Sequence, residues 1–112
     1  MHELSVAESL MNITLEKSGA ENAVKVVSIT IVVGNLAGIV PDSLLYCFDT
    51  IKLGTIASEA TLNIEEVKAT ADCLDCNKRI EIGQFDFTCP DCGSVIIPTG
   101  GQELFVKDIE IE

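Results

Sequence analysis

The chain has 112 residues, five of them cysteine and one histidine, with a formal net charge of −11 and a pI near 4.3. Hydrophobic residues make up 47%, enough for one packed domain or a small core with a satellite, so wholesale disorder is excluded. The acidic balance argues against nucleic acid and against an anionic membrane surface, both of which ask for a positive face; no tryptophan and one tyrosine leave little for base stacking.

The first segment, about Glu3 to Lys17, reads as a helix. Leu4, Ala7, Leu10 (or Met11) and Leu15 recur at three- to four-residue spacing, and Ser18-Gly19 is the expected stop. The segment VKVVSITIVVG, 24–34, alternates with period two. Val27, Ile29, Ile31 and Val33 share one apolar face, which makes this strand a natural centre for a sheet. GNLAGIVP then breaks the pattern, and PDSLLYCFDTIKL, 41–53, reads as a second helix with Pro41 in its first turn. Its stripe is Leu44, Leu45, Phe48 and Ile51, with Cys47 beside it as a small hydrophobe. Two further strands are expected, ATLNIEEVKA at 60–69 and ELFVKDIEIE at 103–112, the latter with Phe105, Ile109 and Ile111 on one face. Between them lies 70–102, rich in Cys, Gly and Asp.

The start carries Glu3 and Glu8 instead of a basic region before an apolar run, and no apolar stretch reaches about 18 residues. The expected location is the cytoplasm, a reducing compartment where paired CxxC motifs hold metal more often than disulfides. The motif is Cys73-x2-Cys76, twelve residues, Cys89-x2-Cys92. Each pair lets a tight turn aim two sulfurs at one ion, and two such knuckles complete the closed S4 shell of structural Zn(II). The spacer is long enough for a short hairpin turning at Gly83-Gln84. So cysteine-rich a segment has too little apolar material for a core of normal size, so metal binding would supply its folding free energy. The alternatives are a pair of disulfides or an S4 iron centre, since CPDCG resembles a rubredoxin knuckle and S4 geometry accepts iron as well as zinc. A thioredoxin-like role asks for one CxxC at a helix start, not two.

His2, the only histidine, stands next to the terminal amine. That amine has a pKa of about 7.7, so part of it is free base at neutral pH. The amine and the His2 amide nitrogen close a five-membered chelate ring; that amide and His2 Nδ1 close a six-membered one. Ni(II) and Cu(II), which favour square-planar nitrogen fields, suit such rings. The fourth donor is open: the Glu3 amide or carboxylate, or a group from elsewhere such as Asp42.

MHELS at the start, GNLAGIVPDSL after the first strand, CLDC with CPDCG, and the ending GGQELFVKDIEIE together resemble the HypA family of nickel metallochaperones in nickel–iron hydrogenase maturation. The resemblance spans essentially the whole chain. It implies an α+β fold: a small two-layer domain with a three-stranded sheet and two helices, formed by 1–69 together with 103–112, plus an inserted four-cysteine zinc-ribbon-like subdomain at 70–102. It implies a nickel motif at Met1, His2 and Glu3, and a zinc motif at Cys73, Cys76, Cys89 and Cys92. Zn(II) would be structural and Ni(II) a transient cargo. The implied partners are a nickel-incorporation GTPase and the hydrogenase large subunit; some members also serve urease maturation. Many members carry Glu where this chain has Asn35, and some have histidines flanking the zinc cysteines, which this chain lacks. Any nickel site therefore uses His2 or no histidine at all.

Two functions remain distinct. One is the metallochaperone, a binding and transfer protein without the nucleophile–base pair or phosphate-cradling loop of an enzyme. The other is a zinc-ribbon protein–protein adaptor with no role for His2.

Overall fold

The computed structural model describes residues 2–83 and 88–112. Its elements in chain order are α1 (Glu3–Ala20), β1 (Val26–Gly34), α2 (Pro41–Ile51), β2 (Thr61–Val67), β3 (Ala69–Cys73), β4 (Lys78–Ile82), β5 (Ile97–Pro98) and β6 (Leu104–Ile111). The fold is α+β. Its strands form two three-stranded sheets, ordered β2-β1-β6 and β4-β3-β5. The chain divides into two compact units, one of Met1–Ile31, Ile39–Glu65 and Phe105–Glu112, the other of Val32–Gly38 and Glu66–Leu104.

In the first unit the core is built by β1, α1 and α2. Ile29, Ile31, Leu44, Phe48, Val26 and Ala7 are fully buried. β1 is the central strand of its sheet, as its apolar face requires. Lys25 and Glu112 exchange both backbone bonds, at 3.3 and 2.8 Å, which is how opposed residues of antiparallel strands pair. The inward stripe of α1 differs from the expected one. Glu3, Ala7, Leu10, Met11, Thr14 and Ser18 are buried, while Leu4 is half exposed. Thr14 can turn inward because its hydroxyl donates to the Leu10 carbonyl at 2.7 Å, which removes the cost of burying it. The helix also outruns the Ser18-Gly19 stop. Asn22 takes a left-handed φ of 55°, Ala23 N–H bonds the Ser18 carbonyl, and Asn22 N–H the Gly19 carbonyl. Those paired bonds are a Schellman motif with asparagine at its left-handed position.

The second unit is small. Its buried cluster is Ala69, Ala71, Cys73, Ile82, Cys89 and Ile96, with Leu36, Cys76 and Ile80 packed against it. A hairpin forms across the first knuckle. β3 and β4 pair antiparallel from Ala69↔Ile82 to Cys73↔Lys78, so residues 74–77 make the turn. The expected turn at Gly83-Gln84 runs outside the described residues.

The GNLAG loop is bound into this unit. Asn35 N–H donates to the Val67 carbonyl at 2.9 Å, its Oδ1 accepts the Ala69 N–H at 3.0 Å, and its Nδ2 donates to the Ile82 carbonyl at 3.4 Å. A carboxylate at this position could accept but not donate, so the asparagine makes one bond that glutamate could not. Gly34 lies against the strap 100–103. Its N–H donates to the Glu103 carbonyl at 2.7 Å, and a Cβ there would collide with the Gly101 carbonyl. Gly101 itself has a φ of +100°. Backbone meets backbone, so neither side can yield cheaply. Gly34→Ala is expected to cost about 2 kcal/mol or more, read as a lower midpoint in urea unfolding; an unchanged midpoint would show that the strap moves freely.

Candidate metal centres

The four cysteines converge. β3 alternates buried and half-buried side chains from Ala69 to Cys73, so the strand that turns Ala69 and Ala71 inward turns Cys73 the same way. The turn after β3 brings Cys76 round, and its N–H donates to Cys73 Sγ at 3.4 Å. The second knuckle is closed by Gly93 N–H on the Cys89 carbonyl and Cys89 N–H on the Ser94 carbonyl, both at 2.8 Å. The residue after each pair is left-handed, Asn77 at 57° and Gly93 at 76°. The sequence shows such furniture only in CPDCG. Asparagine, which tolerates that conformation better than most side chains, performs the same bend in CLDCN.

The four sulfurs all lie within 4.8 Å of one another. Cys73 and Cys92 Sγ are 3.5 Å apart, Cys76 and Cys89 Sγ 3.9 Å. A regular tetrahedron of sulfurs about 2.3 Å from a zinc ion has edges of about 3.8 Å, so the donor set fits that ion. All four are free cysteines, so the disulfide alternative is not what this fold builds.

Their surroundings set how the thiols share protons. The Ser94 hydroxyl, and after it the Ser94 amide, favour the Cys92 thiolate and pull its pKa down to about 6. Cys76, donating to Cys92 and half-buried beside the other sulfurs, is pushed up to about 12. A bound cation would deprotonate all four. Two contacts tie the knuckles from outside. The Ser94 hydroxyl reaches both Asp75 and Cys92, its one proton serving one of them at a time, and Lys78 Nζ lies 3.3 Å from Asp91 Oδ2. Asp91 holds the Lys78 ammonium above its ordinary pKa, with smaller help from Cys76 and Cys89. Lys78 and Arg79 are thus paired on β4, Arg79 with Asp72; no basic surface results.

At the amino terminus, Met1 lies outside the described residues. His2 is the N-cap of α1, with φ −127° and ψ 20°, and its side chain makes no capping bond. Its carbonyl accepts the Val6 N–H at 3.0 Å and the Ser5 hydroxyl at 2.9 Å. The backbone at His2 is therefore locked into the first helical turn while the imidazole stays exposed. Glu3 behaves differently. Its residue is only 8% exposed, and its Oε2 accepts the Val40 N–H at 3.3 Å. That bond holds the Glu3 carboxyl below its ordinary pKa. Glu3, Leu4, Asp42, Ser43, Tyr46 and Cys47 line an open groove where α1 and α2 begin. Cys47 is half-buried there. Among the described residues, no group of three or more His, Cys, Asp or Glu side chains converges apart from the four cysteines.

A model of the family described as "Hydrogenase/urease nickel incorporation, metallochaperone, hypA" matches residues 1–111. Relatives named hydrogenase maturation factor HypA include one from Rhizobium leguminosarum bv. viciae, 37% identical over 99% of both chains. Another, from Azotobacter chroococcum mcd 1, is also 37% identical, over the whole of both chains. The solution structure of the Ni metallochaperone HypA from Helicobacter pylori has the same fold, with a TM-score of 0.66 at 24% identity, covering 99% of this chain and 97% of that one. A solution structure titled HypA protein aligns with a TM-score of 0.70 at 25% identity, over 100% of this chain and 97% of that one. With the family model matched from end to end and the cysteine centre built in the fold, the chain belongs to the HypA family of nickel-incorporation metallochaperones.

Proposed function

We propose that this chain captures Ni(II) at its amino terminus and delivers it to the hydrogenase large subunit during maturation of nickel–iron hydrogenase, working in the cytoplasm with a nickel-incorporation GTPase. Residues 1–69 with 103–112 form the nickel-binding part. Residues 70–102 hold a resident Zn(II) through Cys73, Cys76, Cys89 and Cys92. The zinc ion, when bound, supplies folding free energy and a closed, inert shell; the chain's own contribution is the two knuckles and the bonds that brace them.

One observation carries the nickel reading. The His2 backbone is held by two bonds to its carbonyl while its imidazole faces solvent. Donors are then drawn from the Met1 amine, the His2 amide and the His2 imidazole, with Glu3 beside them. Such a set closes two chelate rings, which suits a metal that favours planar nitrogen fields. It also sits at an exposed chain end, where an acceptor's ligands can replace it one at a time. This is binding and transfer, with no bond of a substrate made or broken.

The free amine supplies the test. Ni(II) is titrated calorimetrically into the zinc-loaded protein and into the same chain extended beyond Met1 by a short tag. The extended chain is expected to bind about tenfold more weakly or worse, ~1.4 kcal/mol. Equal binding would sink the amino-terminal site and leave the adaptor, the one alternative in which His2 has no role.

A further inference from the structure

We propose that the Glu3 carboxylate is a positioning group for the nickel end, bonded to the start of α2, and not a nickel donor. This rests on the amino-terminal nickel site above and assigns the role of one of its residues. Glu3 stands at the first position of α1 and is nearly buried. Its Oε2 accepts the backbone N–H of Val40, 37 residues along the chain, at 3.3 Å. Val40 is the N-cap of α2, with an extended backbone at φ −90° and ψ 112°, and valine has no side-chain group with which to cap.

The usual remedy for such an N-cap amide is the capping box, in which a Glu or Gln three positions into the same helix reaches back to it. In α2 the nearby Leu44 is fully buried and apolar, and the third helical position is Ser43, too short for that reach. Glu3 performs the same function from another helix. An anion there also faces the positive end of the α2 dipole. This bond joins the first residue of α1 to the cap of α2.

The consequence reaches the nickel donors through covalent geometry. His2 is locked on one side by Val6 and Ser5. Glu3, the next residue, is anchored by its side chain. The His2–Glu3 peptide then has little freedom, and it fixes the His2 Cα from which the amide nitrogen and the imidazole project. Turning the carboxylate away from Val40 would strand the α2 cap and free the His2–Glu3 peptide. Glu3 contributes to the site by holding its backbone still.

The experiment uses two variants of the zinc-loaded full chain, Glu3→Gln and Glu3→Ala. Glutamine keeps an oxygen that can accept the Val40 N–H but loses the anionic donor; alanine loses both. Hydrogen exchange at the Val40 amide is measured without nickel, and Ni(II) binding by calorimetry and d–d absorption. Glu3→Gln is expected to retain Val40 protection, to bind Ni(II) within about threefold of the parent, ~0.65 kcal/mol, and to leave the d–d bands in place. Glu3→Ala is expected to lose Val40 protection and to bind about tenfold more weakly, ~1.4 kcal/mol, with unchanged bands at saturation. If Glu3→Gln shifts the bands, or weakens binding as much as Glu3→Ala while Val40 stays protected, the carboxylate is a donor. If Glu3→Ala binds like the parent, the positioning role is wrong. Failure of the nickel site itself reads differently: the tagged chain would then bind like the parent too.

Discussion

Replacing His2 by alanine is expected to weaken Ni(II) binding of the zinc-loaded protein by about 100-fold or more, ~2.7 kcal/mol, while moving the melting temperature by no more than about 3 °C. The two halves of that expectation have separate causes. His2 is the only histidine in the chain, so removing it takes away the only imidazole and opens the six-membered ring it closes with its own amide. For folding, its side chain does nothing visible: it is exposed and makes no capping bond, and the bonds that start α1 use the His2 carbonyl, which alanine keeps. Titration with calorimetry and d–d absorption checks the first half, thermal unfolding the second. Equal nickel binding would remove the chaperone mechanism. A large fall in melting temperature would make His2 a structural residue.

Replacing any one of the four cysteines by serine is expected to unfold residues 70–102 while the helices α1 and α2 persist. The cluster those residues build contains two large aliphatic side chains among its buried members, Ile82 and Ile96, and two of the remaining four are Cys73 and Cys89. A buried isoleucine contributes about 1.5–3 kcal/mol, whereas structural zinc in small domains is worth roughly 10–16 kcal/mol at neutral pH. The metal is the larger effect, and three thiolates hold it much less firmly than four. Amide spectra should show the signals of 70–102 collapsing to unfolded positions, and a strong chelator should do the same to the parent chain. If those signals stayed dispersed without metal, the small core would be sufficient by itself and the centre would serve some other purpose.

The contrast between the two variants follows from where each metal sits. Two of the four cysteines, Cys73 and Cys89, are essentially buried and belong to the core of their unit, so on the proposed assignment the resident ion and the small core stand together. The proposed amino-terminal site would use groups whose folding roles are met by other atoms, so its cargo could leave by exchange of ligands alone.

Much of the fold was legible in local pattern. Period-two alternation marked β1 and its central place, Pro41 marked the start of α2, and the doubled CxxC marked the metal centre. The misreading of α1 came where polar side chains turn inward, which hydrophobic periodicity does not show. Thr14 and Ser18 face inward in place of Leu4, with Thr14 satisfied by the carbonyl four residues back. Three-to-four spacing from Ala7 and Leu10 through Thr14 to Ser18 was the available signal, and hydrophobicity alone passes over it. The first knuckle carries a turn of its own that the pattern did not announce, with Asn77 taking its left-handed bend.

By itself the sequence determined the identity and spacing of the four thiols, the position of the imidazole next to the chain end, and the strands and helices that carry them. These are properties of neighbours along the chain, set by covalent distance and by the periods of helix and strand. Only the tertiary structure decided that Asn35 would bond Ala69 and Ile82, that Gly34 would lie against Gly101, and that Glu3 would turn from the chain end to the cap of α2. A side chain's partner dozens of residues away depends on which surfaces pack together, and one short polar group can satisfy many possible partners equally well until packing selects one.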